Sequence, residues 1–118
     1  MKIAICGLGR IGRCIARILC SKYSSIQITH FIDIEEDIDN ICYLLNHDST
    51  YGWLKDEFKV SNSNFVFNSK VIEYIKCDDF ARLDWSELDF DILIDSSGIT
   101  RDWDLINNLC NKMQKYVF

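Results

Sequence analysis

The stretch that decides the fold is "KIAICGLGRIGRCIARIL", from Lys2 to Leu19. Its first five residues, Lys2 to Cys6, form a short, mostly apolar run that a glycine ends, and this pattern predicts a buried strand. Three glycines at G-x-G-x-x-G spacing follow from Gly7 to Gly12. Apolar residues then recur at helical spacing from Arg10 to about Tyr23. The sequence therefore predicts a strand, a glycine-rich turn and an amphipathic helix in direct succession.

An acidic residue follows at the interval that makes this glycine triplet informative. The β-rich segment "SIQITHFID" predicts a second strand that ends at Asp33, about 20 residues after the last glycine. In such a unit Gly7 allows the tight turn, Gly9 admits a pyrophosphate to the backbone, and Gly12 lets the helix pack closely. A carboxylate at Asp33 accepts the ribose hydroxyls and repels a 2′-phosphate, which favours NAD over NADP. The alternative is that the glycines serve packing alone and Asp33 ends the strand.

The rest of the chain continues the alternation of strands and helices. A serine-rich loop, "DSSGIT", follows the strand that ends at Asp95, and we expect Ser96, Ser97 and Gly98 to line the same cleft, although such a turn can also be only a turn. Further elements are predicted as a helix over 37–45, three β segments over 58–77, a strand over 89–95, a helix over 102–112 and the start of a strand in "KYVF". The predicted fold class is α/β: a Rossmann-type, doubly wound, mostly parallel sheet with a small antiparallel excursion around residues 58–77.

The composition of the chain argues against several classes of function. The chain has 118 residues, 48% of them hydrophobic and 26% charged, with a formal net charge of -5, so we expect one domain and no nucleic-acid partner. An acidic run between Asp33 and Asp39 is typical of a solvated loop and helix start. The six cysteines form no C-x-x-C pair, which predicts neither a metal site nor a disulfide framework. Without a signal peptide or a long apolar run, we expect no membrane association and a cytoplasmic location.

The sequence offers few candidate catalytic residues. The two histidines, His30 and His47, have no nucleophile or orienting carboxylate at a telling spacing, and we interpret both as structural. No cysteine has the sequence surroundings of a nucleophile. The sequence therefore predicts no catalytic residue in this chain. A nicotinamide cofactor would supply hydride chemistry, but another part of a protein would have to present the substrate.

Three ordered motifs carry a family resemblance. "GLGRIGR" (Gly7 to Arg13), "YLLNHDSTYG" (Tyr43 to Gly52) and "WSELDFDILIDSSG" (Trp85 to Gly98) are similar to N-G-F-G-R-I-G-R, Y-L-L-K-Y-D-S-T-H-G and W-G-E-L-G-V-D-V-V-I-E-S-T-G. The whole chain, residues 1–118, thereby resembles the N-terminal NAD-binding domain of glyceraldehyde-3-phosphate dehydrogenase. Erythrose-4-phosphate dehydrogenase shares much of this pattern and is not separated from it.

The resemblance implies a cofactor site and an incomplete enzyme. By their match to the family's motifs, Gly7, Gly9, Arg10, Ile11 and Gly12 correspond to the pyrophosphate-binding loop, Asp33 to the residue that holds the adenosine ribose, and Ser96, Ser97 and Gly98 to the loop beside the cofactor. In the full enzyme an aldehyde phosphate is oxidised and phosphorylated while hydride passes to NAD. The family's catalytic domain is absent from this C-terminally incomplete chain, so we expect the chain alone to bind NAD and to be inactive. Self-association through apolar surface that would face the missing half is also expected.

Several positions depart from the family's pattern. Cys6, Leu8 and Ile32 replace an asparagine, a phenylalanine and an asparagine, Asp78 falls where many members carry an arginine, and Thr100 stands where a phenylalanine is common. These departures keep open a second hypothesis, that of a degenerate stand-alone Rossmann domain that acts as an interaction or regulatory module. A third, of less weight, is a redox-responsive dimer joined through a cysteine.

Overall fold

A computed structural model describes residues 1–23, 25–48, 52–53, 56–79, 82–98 and 115–117. The predicted helix over 102–112 and the departure at Thr100 lie outside the described residues. The described α-helices and strands are β1 (Lys2–Cys6), α1 (Arg10–Lys22), β2 (Gln27–Asp33), α2 (Ile38–Asn46), β3 (His47–Asp48), β4 (Gly52–Trp53), β5 (Phe58–Ser61), β6 (Asn64–Phe67), β7 (Lys70–Lys76), β8 (Ile92–Asp95) and β9 (Lys115–Val117), and a short 3-10 helix covers Trp85–Glu87.

Seven of these strands form one sheet in the order β5-β6-β7-β2-β1-β8-β9. Neighbours from β7 to β9 run parallel, whereas β5 with β6 and β6 with β7 are antiparallel. The predicted α/β fold with a mostly parallel, Rossmann-type sheet is thus confirmed, including its antiparallel excursion. The third segment of that excursion, β7, also pairs in parallel with β2, so it belongs to the main sheet as well. A short hairpin of β3 and β4 was not predicted.

Two hydrophobic cores lie on the two faces of the sheet, and strand β1 contributes to both. Ile3 and Ile5 belong to the core that α1 and α2 cover, while Ala4 and Cys6 belong to the core on the opposite face. Because side chains alternate across a strand, a strand buried on both faces reads as a continuous apolar run. This is why the sequence of β1 predicts its central position in the sheet.

Helix α1 spans nearly the predicted range, but its most buried residues are not its large apolar ones. Gly12, Ala16 and Arg17 are buried, whereas Ile11 and Ile18 are 67% and 41% exposed. Small side chains at two successive turns let the helix approach the glycine loop and the sheet closely. The buried Arg17 donates from its Nη1 to the carbonyl oxygen of Leu45 at 2.5 Å and so satisfies the last turn of α2.

The antiparallel excursion is built from two tight hairpins. Asn62 and Ser63 have φ values of +52° and +62°, and Asn68 and Ser69 have values of +50° and +66°. Two successive residues with positive φ form the two-residue turn that matches the twist of a hairpin, and asparagine tolerates this conformation well. The predicted turns "SNS" and "NSK" are therefore confirmed. No helix in the described part of the chain is long and apolar enough to cross a membrane.

Candidate functional site

A cavity of about 340 Å³ opens at the carboxyl edge of the parallel strands. The turn after β1, the ends of β2 and β7, the turn after β8 and one side of α2 all contribute to its wall. The lining residues are Cys6, Gly7, Leu8, Gly9, Arg13, Asp33, Ile34, Glu35, Asn40, Ile41, Leu44, Cys77, Asp78, Ser96 and Ser97. In an open parallel sheet, ligands bind outside this edge where the chain connections reverse direction, as they do between β1 and β8.

Gly7 and Gly12 shape the inner side of the glycine loop by packing. Gly7 has a φ of +86°, and a Cβ there would lie 2.5 Å from the Cα atom of Ser97. A Cβ on Gly12 would lie 1.9 Å from the carbonyl oxygen of Gly7. Neither position can carry a side chain without moving backbone. These two glycines therefore fix how the loop, the start of α1 and the turn after β8 fit together.

Gly9 differs from both of these glycines because it faces open space. A Cβ built on Gly9 would meet no other atom within 4 Å, and Gly9 lines the cavity. Gly9 is also the N-cap residue of α1, with no side-chain cap. The N–H groups of the first helical turn have no partner within a helix, and the helix dipole places positive charge at this end. An anionic group can thus approach the backbone here without steric obstruction.

Asp33 lines the same cavity beside the glycine loop and is held by backbone donors on both sides. Its Oδ2 accepts a hydrogen bond from the N–H of Leu8 at 2.6 Å, and its Oδ1 accepts from the N–H groups of Ile34 at 2.7 Å and Glu35 at 3.2 Å. A carboxylate offers about four acceptor positions, so three donors leave room for a ligand hydroxyl. Asp33 therefore both connects the glycine loop to the β2–α2 loop and presents a fixed acceptor to the cavity.

The hydroxyl groups of the two serines after β8 stabilise the loops around the cavity. The hydroxyl group of Ser96 lies within donating distance of the carbonyl oxygens of Gly7 and Cys6, at 2.8 Å and 3.0 Å. Ser97 donates from its Oγ to Asp95 Oδ1 at 2.6 Å. Both serines line the cavity, but the hydroxyl groups themselves are used within the protein. Their described contacts organise the loop.

The structure brings five of the nine sequence-predicted cofactor residues to the cavity wall: Gly7, Gly9, Asp33, Ser96 and Ser97. Gly12 packs against the carbonyl group of Gly7 and does not line the cavity. Arg10 and Ile11 are exposed on the first turn of α1 and do not line the cavity, and neither does Gly98, which has a φ of +75° and open space around it.

The sequence reasoning missed other lining residues, among them Arg13, Asn40 and Cys77. Arg13 braces the glycine loop by donating from Nη1 to the carbonyl oxygen of Leu8 at 3.0 Å. Its position one helical turn after Gly9 is a signal that could have found it. Asn40, in the first turn of α2, and Cys77, after β7, reach the cavity only through the tertiary arrangement of α2 and β7 beside β2.

One end of the cavity is acidic. Asp33, Glu35 and Asp78 line it, while Arg13 is the cation among the described lining residues. The nearby Lys76 forms an ion pair with Glu36. The hydrogen bond of this pair raises the pKa of Lys76, and the charges of Glu36, Asp78 and Glu35 add smaller contributions in the same direction. The same pair lowers the pKa of Glu36.

Tyr74 fixes the loop that carries these acids. Its hydroxyl group donates to the carbonyl oxygen of Glu35 at 2.6 Å. Burial raises the pKa of Tyr74, with further contributions from the charges of Asp33 and Glu35, so the phenol remains a donor at neutral pH. The loop after β2 is thereby held to strand β7.

Together these features suit an elongated ligand with different ends. The helix end at Gly9 suits a phosphate, the Asp33 carboxylate suits a vicinal diol, and Ile34, Ile41 and Leu44 offer apolar wall for a base. Within the described ranges, no three histidine, cysteine, aspartate or glutamate side chains are grouped to hold a metal ion. The arrangement is that of a binding site for a dinucleotide.

Comparison with known proteins identifies the family. The model of the family described as "Glyceraldehyde 3-phosphate dehydrogenase, NAD binding domain" matches residues 1–103. Glyceraldehyde-3-phosphate dehydrogenase 1 of Kluyveromyces marxianus is 35% identical over 104 residues, which cover 88% of this chain and 31% of that protein. The glyceraldehyde-3-phosphate dehydrogenases of Buchnera aphidicola and Chlamydia trachomatis serovar L2 are 36% and 31% identical over 99 residues, covering 84% of this chain and 29% of each relative.

The chain spans about a third of the length of the curated relatives it matches. The part that matches is the family's cofactor domain, so NAD is the cofactor of this domain and the chain is related to NAD-dependent oxidoreductases. The chain therefore belongs to the glyceraldehyde-3-phosphate dehydrogenase family, as its NAD-binding domain.

Proposed function

We propose that the cavity at the carboxyl edge of the sheet binds NAD, with the pyrophosphate at Gly9 and the adenosine ribose at Asp33. One observation carries this placement: a single cavity is lined both by the open glycine at the start of α1 and by a carboxylate at the end of β2. A phosphate group needs the first of these features and a ribose diol needs the second.

The nine predicted residues divide by role in this proposal. Gly9 and Asp33 face the cofactor directly, and the main-chain N–H groups of Arg10 and Ile11 contribute to the anion site. The remaining residues, Gly7, Gly12, Ser96, Ser97 and Gly98, shape the loops around it. This division is supported by the packing of Gly7 and Gly12 and by the internal hydrogen bonds of Ser96 and Ser97.

A titration followed by ¹⁵N–¹H correlation NMR tests the proposal residue by residue. Added NAD should shift the amide signals of Leu8, Gly9 and Ile34, while the amide of Asn68, in the β6–β7 turn at the opposite edge of the sheet, stays unchanged. Shifts confined to residues away from the cavity, or none at saturating NAD, would contradict the proposed site.

We also propose a role in the enzymatic oxidation of glyceraldehyde 3-phosphate, as the names of the relatives suggest. Phosphorylation of the product and a cytoplasmic location are part of the same proposal and rest on the sequence alone. NAD bound here would supply the hydride acceptor, and residues from outside this chain would act on the aldehyde. This division is supported by the thiols that line the cavity: Cys6 is buried, and Cys77 donates from its Sγ to the carbonyl oxygen of Asp79 at 3.1 Å. His30 is not among the lining residues.

A simple assay tests this division of labour. The purified chain, mixed with glyceraldehyde 3-phosphate, inorganic phosphate and NAD, should form no NADH while it still binds NAD. Formation of NADH at a rate above the protein-free control would show that catalytic groups are present in the chain.

A further inference from the structure

We propose that Asp78 is a specificity-determining residue of this cavity, whose carboxylate rejects a nucleotide that carries a phosphate on its adenosine ribose. It would exclude NADP by a mechanism separate from that of Asp33. The inference rests on the proposed function, since it places the adenosine half of the cofactor at the acidic end of the cavity.

The strand register places Asp78 near Asp33. Asp33 lies opposite Lys76 in the parallel pair of β2 and β7, and Asp78 follows two residues later. Neighbouring strands are about 4.8 Å apart and residues advance about 3.3 Å along a strand, so the two backbones are separated by roughly 8 Å. Both residues line the same cavity. A group bound to Asp33 therefore lies within electrostatic range of Asp78.

Among the described residues no cation forms an ion pair with Asp78, and the nearby Arg82 lies 3.7 Å from a carboxylate oxygen of Asp79. Lys76 is paired with Glu36, and the charges of Glu35 and Asp78 act on the same ammonium group. Arg13, the cation among the described lining residues, donates to Leu8 in the glycine loop. Because acids outnumber bases at this end of the cavity, an added anionic group meets net repulsion there.

Asp33 and Asp78 exclude a 2′-phosphate in different ways. Asp33 is a direct hydrogen-bond acceptor for the ribose, so replacing it also removes an attractive contact. Asp78 acts through charge alone. A phosphate monoester carries close to two negative charges at neutral pH, so one unit charge at this distance weakens NADP binding about fivefold at low salt. NAD lacks that phosphate and is affected much less.

A neutral variant of the same size isolates this effect. Asp78→Asn removes the charge, and Asp39→Asn is the matched control, since Asp39 is an exposed acid in the first turn of α2 that does not line the cavity. The affinity for NAD is measured by titration calorimetry, and that for NADP by displacement of bound NAD, at about 0.02 M and about 1 M salt.

The expected result is specific to one variant and one salt range. Asp78→Asn should tighten NADP binding about fivefold at low salt, leave NAD binding within about twofold, and lose its effect near 1 M salt, where the Debye length is about 3 Å. Asp39→Asn should change neither affinity.

Three outcomes would overturn the role of Asp78: unchanged NADP affinity in Asp78→Asn at low salt, a gain that persists at high salt, or an equal gain in Asp39→Asn. Failure of the wild-type chain to bind NAD would overturn the proposed function instead. The two failures are therefore distinguishable in one set of titrations.

Discussion

The inner and outer sides of the glycine loop differ in how tightly they are packed. On the inner side, Gly7 and Gly12 are so tightly packed that a single Cβ atom would collide with backbone. On the outer side, Gly9 meets nothing within 4 Å. The same residue type thus serves the fold at two positions and leaves space for a ligand at the third. Substitutions can separate these roles.

The largest effect is expected for Gly12→Ala. The new methyl group would lie 1.9 Å from the carbonyl oxygen of Gly7 and 2.8 Å from Ser96 Oγ, so α1 must move away from the loop. We expect a loss of about 3 kcal/mol in the free energy of unfolding, despite the better helix propensity of alanine. Urea denaturation measures this loss. Unchanged stability would mean that the inner side is not a packed surface.

Asp33→Asn should affect both sides of the loop, because Asp33 accepts from Leu8 on one side and from Ile34 and Glu35 on the other. An asparagine offers one oxygen and cannot replace both carboxylate oxygens as acceptors. Losing a charge-assisted bond costs about 2 kcal/mol of stability, and NAD binding should weaken about tenfold. Denaturation and calorimetry on the same sample measure both effects. A loss confined to NAD affinity would show that Asp33 does not connect the loops.

Gly9→Ala is the matched counterpart of Gly12→Ala, with the same chemical change on the outer side. Its methyl group points into open space, so the midpoint of thermal unfolding should change little. It also occupies the space that we assign to the pyrophosphate, so NAD affinity should fall about tenfold, equivalent to about 1.4 kcal/mol. Wild-type affinity in this variant would place the pyrophosphate elsewhere.

The smallest expected effect is the pH dependence of the free energy of unfolding that His30 causes. His30 is buried in β2, with its Nε2 3.3 Å from Glu73 and its Nδ1 2.8 Å from the hydroxyl of Thr29. Phe90 packs against the ring, and the charge of Asp89 also acts on it. Burial lowers the pKa of His30 below its usual 6.5, an effect that outweighs the opposing influences of Glu73 and Asp89.

The unfolded chain therefore takes up a proton on His30 before the folded chain does as the pH falls. This contribution to stability should be constant above pH 6.5 and should decrease as the pH falls from 6.5 toward the lower folded pKa. Denaturation midpoints of the wild type and of His30→Gln, measured over this pH range, separate the contribution of His30 to stability from that of the carboxylates. Parallel curves for the two proteins would show that His30 does not contribute.

The sequence predicted the elements well because their signals are local. The apolar run of β1, the helical spacing in α1 and the asparagine-serine turns each depend on a few neighbouring residues. The sequence did not predict that β7 pairs with β2, because a strand's partner depends on the whole chain. Nor did spacing alone show that Arg17 is buried while Ile18 is exposed, since Gly12 and Ala16 decide which face of α1 approaches the sheet.

The candidate site was predictable to a similar degree. The glycine spacing and the interval to Asp33 indicated the loop and the acidic residue that together line the cavity. Asn40 and Cys77 carry no motif and reach the cavity through packing. The backbone donors to Asp33 come from two loops, an arrangement that residue spacing does not specify.

A crystal structure of the chain grown with NAD tests the central claim most directly. The predicted result is the cofactor pyrophosphate against Gly9 at the start of α1, with the adenosine ribose hydroxyls on the carboxylate of Asp33. NAD bound at another surface, or bound in this cavity with its ribose away from Asp33, would contradict the proposed site.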